Sequence, residues 1–292
     1  MRQRLMATAS DVPEGVGAAA LEDVACRVAW AAGRLVVDER PADLGVTAKS
    51  TATDPVTEMD QRSQELIVRL LGEQRPDDAV LGEEEGGSPG TSGLTWVVDP
   101  IDGTVNYLYG IPAYAVSVAV VTGDPTRPGH WEAVAGAVLN PATGELFHAH
   151  RGGGARLTTD AGTRVLRATA ATELSLALVG TGFGYAAALR ARQAALLVDL
   201  LPRVRDIRRH GGAALDLCGL AAGRLDAYYE AALNPWDRAA GELVAREAGA
   251  VLGGPVDEVT TRDLVWGAAP GLAQAFGPLV RELSARHVGP VD

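Results

Sequence analysis

The sequence predicts a layered fold of mixed α+β and α/β character, and three observations predict it. Apolar residues recur at helical spacing near the N-terminus. Short β-branched runs separated by Gly, Pro and Asn follow in the middle. Strand and helix patterns then alternate from about Ala170 onward. At 292 residues the chain is long enough for two packed lobes with a sizeable core. The change of rhythm divides it into an N-terminal α+β lobe over residues 1–169 and a C-terminal α/β lobe over residues 170–292.

Residues 1–17 read as a frayed extension. Leu21, Val24, Ala25, Val28, Ala29 and Ala32 then share one helix face, and Gly33 follows early. Residues 45–54 are polar and turn-prone, and Thr57 is placed to cap a second helix that carries Leu66, Ile67, Leu70 and Leu71 inward. Val80 and Leu81 look like a strand end. After the Gly/Ser/Pro-rich turn at 86–93, strands are expected at 94–98, 114–121, 133–139 and 146–149. In the second lobe, strands at 177–180, 204–208 and 227–229 alternate with helices at 189–201, 213–222 and 236–249. Short strands at 251–252 and 264–267 and a helix at 271–285 complete it.

Arg and Lys number 26 against 37 acidic residues, a net charge of −11 that argues against capture of nucleic-acid phosphates and suits the holding of cations. No run approaches the roughly 18 apolar residues that a membrane span needs, and residues 1–12 lack an apolar core, so a soluble cytoplasmic protein is expected. Cys26 and Cys218 stand alone in apolar surroundings, with no CxxC and no zinc-like grouping of the five histidines.

The strongest motif is Trp96-Val97-Val98-Asp99-Pro100-Ile101-Asp102-Gly103-Thr104, an apolar strand that delivers two carboxylates and then turns at a glycine. Asp-Gly alone is ordinary turn chemistry. Here Pro100 bars regular pairing, Gly103 permits an unusual backbone turn, and the amides of Gly103 and Thr104 can meet an anion where a helix begins. A second acidic element, Glu83 to Glu85, follows Gly82, and by itself resembles a solvated loop. The third runs from Glu230 through Asn234, Pro235, Trp236, Asp237, Arg238, Ala239, Ala240 and Gly241, with Asp237 in the first turn of a helix, where the helix dipole alone would favour a carboxylate. Glu83, Asp99, Asp102, Asp237 and the Ile101 carbonyl make a hard-oxygen donor set of the kind magnesium prefers, with enough acids for two adjacent ions. Neither a GxSxG elbow nor a P-loop occurs, so no nucleophilic side chain is indicated.

Together these three elements resemble the inositol monophosphatase family of lithium-sensitive magnesium phosphatases, over nearly the whole chain. The segments 107–120, 180–185 and 225–230 make the bacterial inositol-1-monophosphatases of the SuhB type the nearest branch. The resemblance implies an αβαβα sandwich of the inositol monophosphatase and fructose-1,6-bisphosphatase type. It implies one Mg2+ on Glu83, Asp99 and the Ile101 carbonyl, a second on Asp99, Asp102 and Asp237, and a third, weaker ion near Glu83. Thr104 and Glu83 would orient and activate the attacking water, with Asp60 and Lys49, like Asp54 and Thr57, on the family's mobile loop. Gly103 and Thr104 would bind phosphate, while Asp102, Gly212, Ala213, Glu230 and Asp237 would contact the substrate. A homodimer acting on a small phosphorylated polyol is implied, with inositol 1-phosphate the leading substrate.

Departures from the family pattern lie at His210 and Gly212, where hydrophobic and Ser or Thr residues are usual, and at Asn234-Pro235. Arg208 and Arg209 stand beside the first of these. These positions flank the substrate pocket and bear on the choice of alcohol. Histidinol phosphate, fructose 1,6-bisphosphate and 3′-phosphoadenosine 5′-phosphate are the alternatives on the same metal core. A haloacid-dehalogenase-type site would separate its two acids by one residue, and here Pro100 and Ile101 make the gap two. A non-catalytic binding or regulatory protein on the same fold is the alternative from another class.

Overall fold

The computed structural model describes residues 17–42, 44, 47–48 and 55–291. The expected extension over 1–16, Lys49 and Asp54 lie outside the described residues.

Helix α1 (Ala18–Asp38) buries Leu21, Val24, Ala25, Val28, Ala29 and Ala32 on one face, as the spacing predicts. Gly33 does not end it. A Cβ at Gly33 would lie 2.5 Å from Leu139 Cδ2 on the sheet below, so the glycine serves close packing. A short ribbon of β1 (Thr47–Ala48) and β2 (Pro55–Val56) leads to α2 (Glu58–Gln74). Thr57 caps α2 as expected, its Oγ1 accepting from the Met59 and Asp60 amides while Asp60 Oδ2 accepts from the Thr57 amide at 2.8 Å.

Seven strands form the first sheet in chain order: β3 (Ala79–Gly82), β4 (Leu94–Asp102), β5 (Ala115–Gly123), β6 (Trp131–Asn140), β7 (Glu145–His150), β8 (Ala155–Thr159) and β9 (Gly162–Val165). Only β3 and β4 run parallel, and the rest form a meander. Strands β8 and β9 are absent from the sequence reading: β9 is exposed throughout, which leaves no apolar alternation to detect, and β8 buries only Ala155 and Leu157. Strand β4 continues past Val98 to Asp102, farther than its apolar run suggests. Its register with β5 breaks between Asp99 and Asp102, so Pro100 occupies an irregularity where its missing N–H costs no ladder bond. Helix α3 (Thr104–Tyr109) follows at once.

The second sheet has the order β11 (Asp206–Arg208), β10 (Leu178–Thr181), β12 (Ala227–Glu230), β14 (Val265–Ala268) and β13 (Val251–Gly253). Its helices are α4 (Ala187–Leu200), α5 (Ala213–Ala221), α6 (Pro235–Glu247) and α7 (Ala273–His287). Strand alternation sorts the first sheet's side chains between two cores. Trp96, Val98, Val116, Val118 and Leu139 pack with α1 and α2. Val97, Ala119, Val121, Val138 and Phe147 pack with α5 and α6, and that same core takes in Tyr228, Leu252 and Val265 of the second sheet. Helices α4 and α7 cover the second sheet's outer face. The layers therefore run helix, sheet, helix, sheet, helix, the αβαβα sandwich the resemblance implied. No helix among the described residues is long and apolar enough to cross a membrane.

Candidate active site

Alternation along β4 puts Asp99 two residues beyond Val97, on the face turned toward α6. Ser117 is its register partner on β5 and donates to the Trp236 carbonyl at 3.2 Å, which seats the first turn of α6 beside Asp99. Asp237 stands in that turn, and its Oδ2 accepts from the Asn234 amide at 2.6 Å. The expected departure at Asn234-Pro235 is thus a helix start, with Asn234 as the cap and Pro235 at the first helical position. Beyond the irregularity, Asp102 turns to α5 and accepts from the amides of Ala213 at 3.2 Å and Ala214 at 2.9 Å. Glu83 closes the set from the end of β3, its amide donating to the Val98 carbonyl at 3.1 Å. Gln64 of α2 steadies the following turn, accepting from the Glu84 amide and donating to the Glu84 and Glu85 carbonyls.

These carboxyls crowd one another. Burial pushes Asp99 well above the usual carboxylate range, and repulsion from Glu83, Asp102 and Asp237 and a hydrogen bond with Glu83 push it further. Asp237 is raised well up by burial first and by Glu83 and Asp102 next. Asp102 is raised to about 7 chiefly by burial, with the Ala214 amide opposing. By exposed area Asp237 is only half-buried. Asp99, Asp102 and Asp237 form no ion pair with Arg or Lys among the described residues.

Beside them Thr104 donates to one of two acceptors, the Ile101 carbonyl at 3.1 Å or Asp60 Oδ1 at 3.3 Å. The other Asp60 oxygen accepts from the Thr57 hydroxyl at 2.5 Å, so a fully buried acid on α2 is locked against the hydroxyl that opens α3. Gly103, between Asp102 and Thr104, has φ 89°, the left-handed conformation expected of it. Ser63 ties α2 to the same strand end through the Pro100 carbonyl at 3.3 Å.

The far wall holds Gly212 and Ala213 at the start of α5 and Glu230 at the end of β12. Tyr228 donates to Glu230 Oε2 at 2.6 Å, and burial raises the Glu230 carboxyl to about 8. A Cβ at Gly182 would fall about 2 Å from the Glu230 carboxylate, so only glycine leaves that side chain room. Of the residues the sequence singled out, Glu83, Asp99, Ile101, Asp102, Gly103, Thr104, Asp60, Asp237, Gly212, Ala213 and Glu230 line one region between the two sheets.

The donor set fits magnesium in its chemistry: hard oxygens, those of Asp99 and Asp102 buried, with no Arg or Lys among the described residues paired to the three aspartates. No three His, Cys, Asp or Glu among the described residues are already gathered to hold a metal ion. The expected set also includes the Ile101 carbonyl, which is not one of those groups. Sequence reasoning missed Ser117, Gln64, Tyr228 and Asp216, which hold the named residues in place. Strand register could have flagged Ser117, and period-two alternation along 227–230 could have flagged Tyr228 beside Glu230; Gln64 and Asp216 meet their partners only in the fold.

A group of crowded carboxyls between the sheets of an αβαβα sandwich defines the class. The inositol monophosphatase family model matches residues 18–285, and the chain belongs to that family. Inositol-1-monophosphatase of Mycobacterium leprae is 50% identical over 241 residues, covering 79% of each chain. Nus factor SuhB of Pasteurella multocida is 38% identical over 234 residues, 79% of this chain and 83% of that one. The Mycobacterium tuberculosis SuhB structure superposes with a TM-score of 0.77 at 44% identity, covering 91% of this chain and 97% of that one.

Proposed function

We propose that the chain is a magnesium-dependent phosphatase that hydrolyses inositol 1-phosphate by direct attack of water. The observation that carries this reading is the group of Asp99, Asp102 and Asp237, the first two buried and none ion-paired with Arg or Lys among the described residues, set against the Thr104 and Asp60 pair. Glu83, Asp99 and the Ile101 carbonyl would hold one ion; Asp99, Asp102 and Asp237 would hold a second, with a third, weaker one near Glu83. When bound, the ions neutralise phosphoryl oxygens and lower the pKa of water.

The chain's own residues do the rest. With its proton given to Asp60, the Thr104 hydroxyl keeps lone pairs free to accept from the attacking water, and Glu83 takes that water's proton. The Gly103 and Thr104 amides hold the phosphate at the start of α3, and Lys49 would lend it a positive charge. Glu230, Gly212, Ala213 and Asp102 hold the hydroxyls of the alcohol. As the water oxygen bonds to phosphorus, the ester P–O bond breaks and its oxygen leaves as the alcohol, taking a proton from water. The same reading makes the protein a cytoplasmic, lithium-sensitive homodimer; lithium inhibition should weaken when Asp237 is altered.

The test is phosphate release from inositol 1-phosphate, histidinol phosphate, fructose 1,6-bisphosphate and 3′-phosphoadenosine 5′-phosphate, with magnesium and with chelator. Magnesium-dependent preference for inositol 1-phosphate supports the full reading, preference for another compound keeps the chemistry and moves the substrate, and no release from any refutes it. A non-catalytic, regulatory role is favoured by one observation, the 38% identical relative named a Nus factor. The complete carboxylate set speaks for turnover.

A further inference from the structure

One pair beside the group of carboxyls has no part in the mechanism above. Asp216, in the first turn of α5, is buried to 2% exposure, and its Oδ1 lies 2.5 Å from Nδ1 of His210. The two imidazole nitrogens point away from each other. Anchoring Nδ1 to the buried acid therefore turns Nε2 outward, on a side chain 48% exposed, and Nε2 has no partner among the described residues.

The backbone beneath the ring is pinned to the phosphate-binding element. Asn106 Nδ2, on α3, donates to the His210 carbonyl and to the Ala113 carbonyl, both at 2.7 Å. A Cβ on Gly103 would lie 3.2 Å from the Gly211 carbonyl oxygen, and a Cβ on Gly212 would lie 3.0 Å from Asp102 Oδ2. Residues 210–212 thus run directly along Gly103 and Asp102. The Asp216 charge in turn reaches both Asp102 and Glu230, the two acids that bracket the substrate's hydroxyls in the reading above.

We propose that His210, positioned by Asp216, is a specificity-determining residue whose Nε2 hydrogen-bonds a substrate hydroxyl remote from the scissile ester. The proposal rests on the phosphatase reading and deepens it. A hydroxyl is the group that fits, because neutral His210 with its proton on Nδ1 accepts at Nε2, whereas the imidazolium donates there, and a hydroxyl can answer either state. A second phosphate could accept only from the imidazolium and would face the carboxylates of Asp102, Asp216 and Glu230, against which stands the guanidinium of Arg209. Gly211 and Gly212 add no side chain, so the ring is the side-chain contact that residues 210–212 offer.

The experiment measures kcat and KM with magnesium for inositol 1-phosphate and for p-nitrophenyl phosphate, whose leaving group carries no alcohol hydroxyl. Wild type, His210→Ala and His210→Gln are compared. His210→Ala is expected to lower the ratio of the two kcat/KM values, inositol phosphate over nitrophenyl phosphate, about tenfold, or about 1.4 kcal/mol. The loss should fall on KM, and His210→Gln, which keeps a donor and an acceptor, should restore most of it. An unchanged ratio in His210→Ala overturns the proposal, as does a loss that glutamine fails to restore. Wild type that releases phosphate only from p-nitrophenyl phosphate overturns the polyol reading and His210 with it, and release from neither overturns the phosphatase reading itself.

Discussion

Asp99 accepts the Ile101 amide at 3.0 Å, faces the first turn of α6, and shares a hydrogen bond with Glu83. Asp99→Asn keeps the shape and removes the charge. Phosphate release is expected to fall on the order of 10³-fold, about 4 kcal/mol of barrier, in a steady-state assay. In chelator the same variant should melt higher than wild type, because it removes one member of a mutually repelling group. Titration follows from the same crowding. Asp102 and Glu230 carry folded-state values of about 7 and about 8 against 3.8 and 4.5, and Asp99 and Asp237 are also raised. Between about pH 4 and pH 8 the native state therefore binds more protons than the unfolded chain, so metal-free stability falls as pH rises through that window. Thermal melts in chelator at pH 5 and pH 8 should show this loss. Magnesium at 100 times its dissociation constant should restore about 2.7 kcal/mol per site at the higher pH. A chelated protein that is more stable at pH 8 would show that the carboxylates are not crowded in solution.

At the scale of elements, α5 and α6 carry the metal-side and substrate-side contacts together, so their spacing matters. A Cβ at Gly241 of α6 would lie 2.8 Å from Leu217 Cβ and 3.2 Å from the Ala214 carbonyl of α5. Alanine in a helix interior ordinarily stabilises relative to glycine by about 0.5–1 kcal/mol. Here overpacking should reverse the sign, and Gly241→Ala is expected to destabilise by about 1–3 kcal/mol in denaturant titration. It should also lower activity, since Asp237 opens α6 and the Ala213 and Ala214 amides that hold Asp102 open α5. The sequence shows this need for close packing in Ala239-Ala240-Gly241, and it shows the Thr57 cap. The length of α1 was not legible in the same way, because glycine reads locally as a stop and only the Leu139 side chain beneath Gly33 explains why the helix continues. Ala232, at φ 75° the one non-glycine described residue in the left-handed region, gave no signal either. It bends the chain between Glu230 and α6, a turn whose strain is set by the two ends it must join.

At the scale of the molecule, one core joins β5, β6 and β7 of the first sheet to β12, β13 and β14 of the second through α5 and α6. A division of the chain near residue 169 therefore does not make two independent folding units, and thermal unfolding is expected as one cooperative transition. Trp96 is buried in the first sheet and Trp266 in the second, so tryptophan fluorescence of single-tryptophan variants can follow each sheet separately. Coincident midpoints are expected; two resolved transitions would show that the lobes unfold separately.

The order of strands and helices apart from strands β8 and β9, the carboxylates at the ends of β3 and β4, the helix start that carries Asp237 and the glycine turn at Gly103 were all determined by the sequence itself. Periodicity, capping and turn chemistry act between residues close in the chain, and close neighbours are visible in it. Only the tertiary structure decided that Ser117 seats Trp236, that Tyr228 holds Glu230 in the space left by Gly182, and that His210 leans on Asp216 beside Gly103 and Asp102. Those pairings depend on strand register, on which face a side chain takes and on how two layers meet. They become fixed when the hydrophobic faces of both sheets close on α5 and α6.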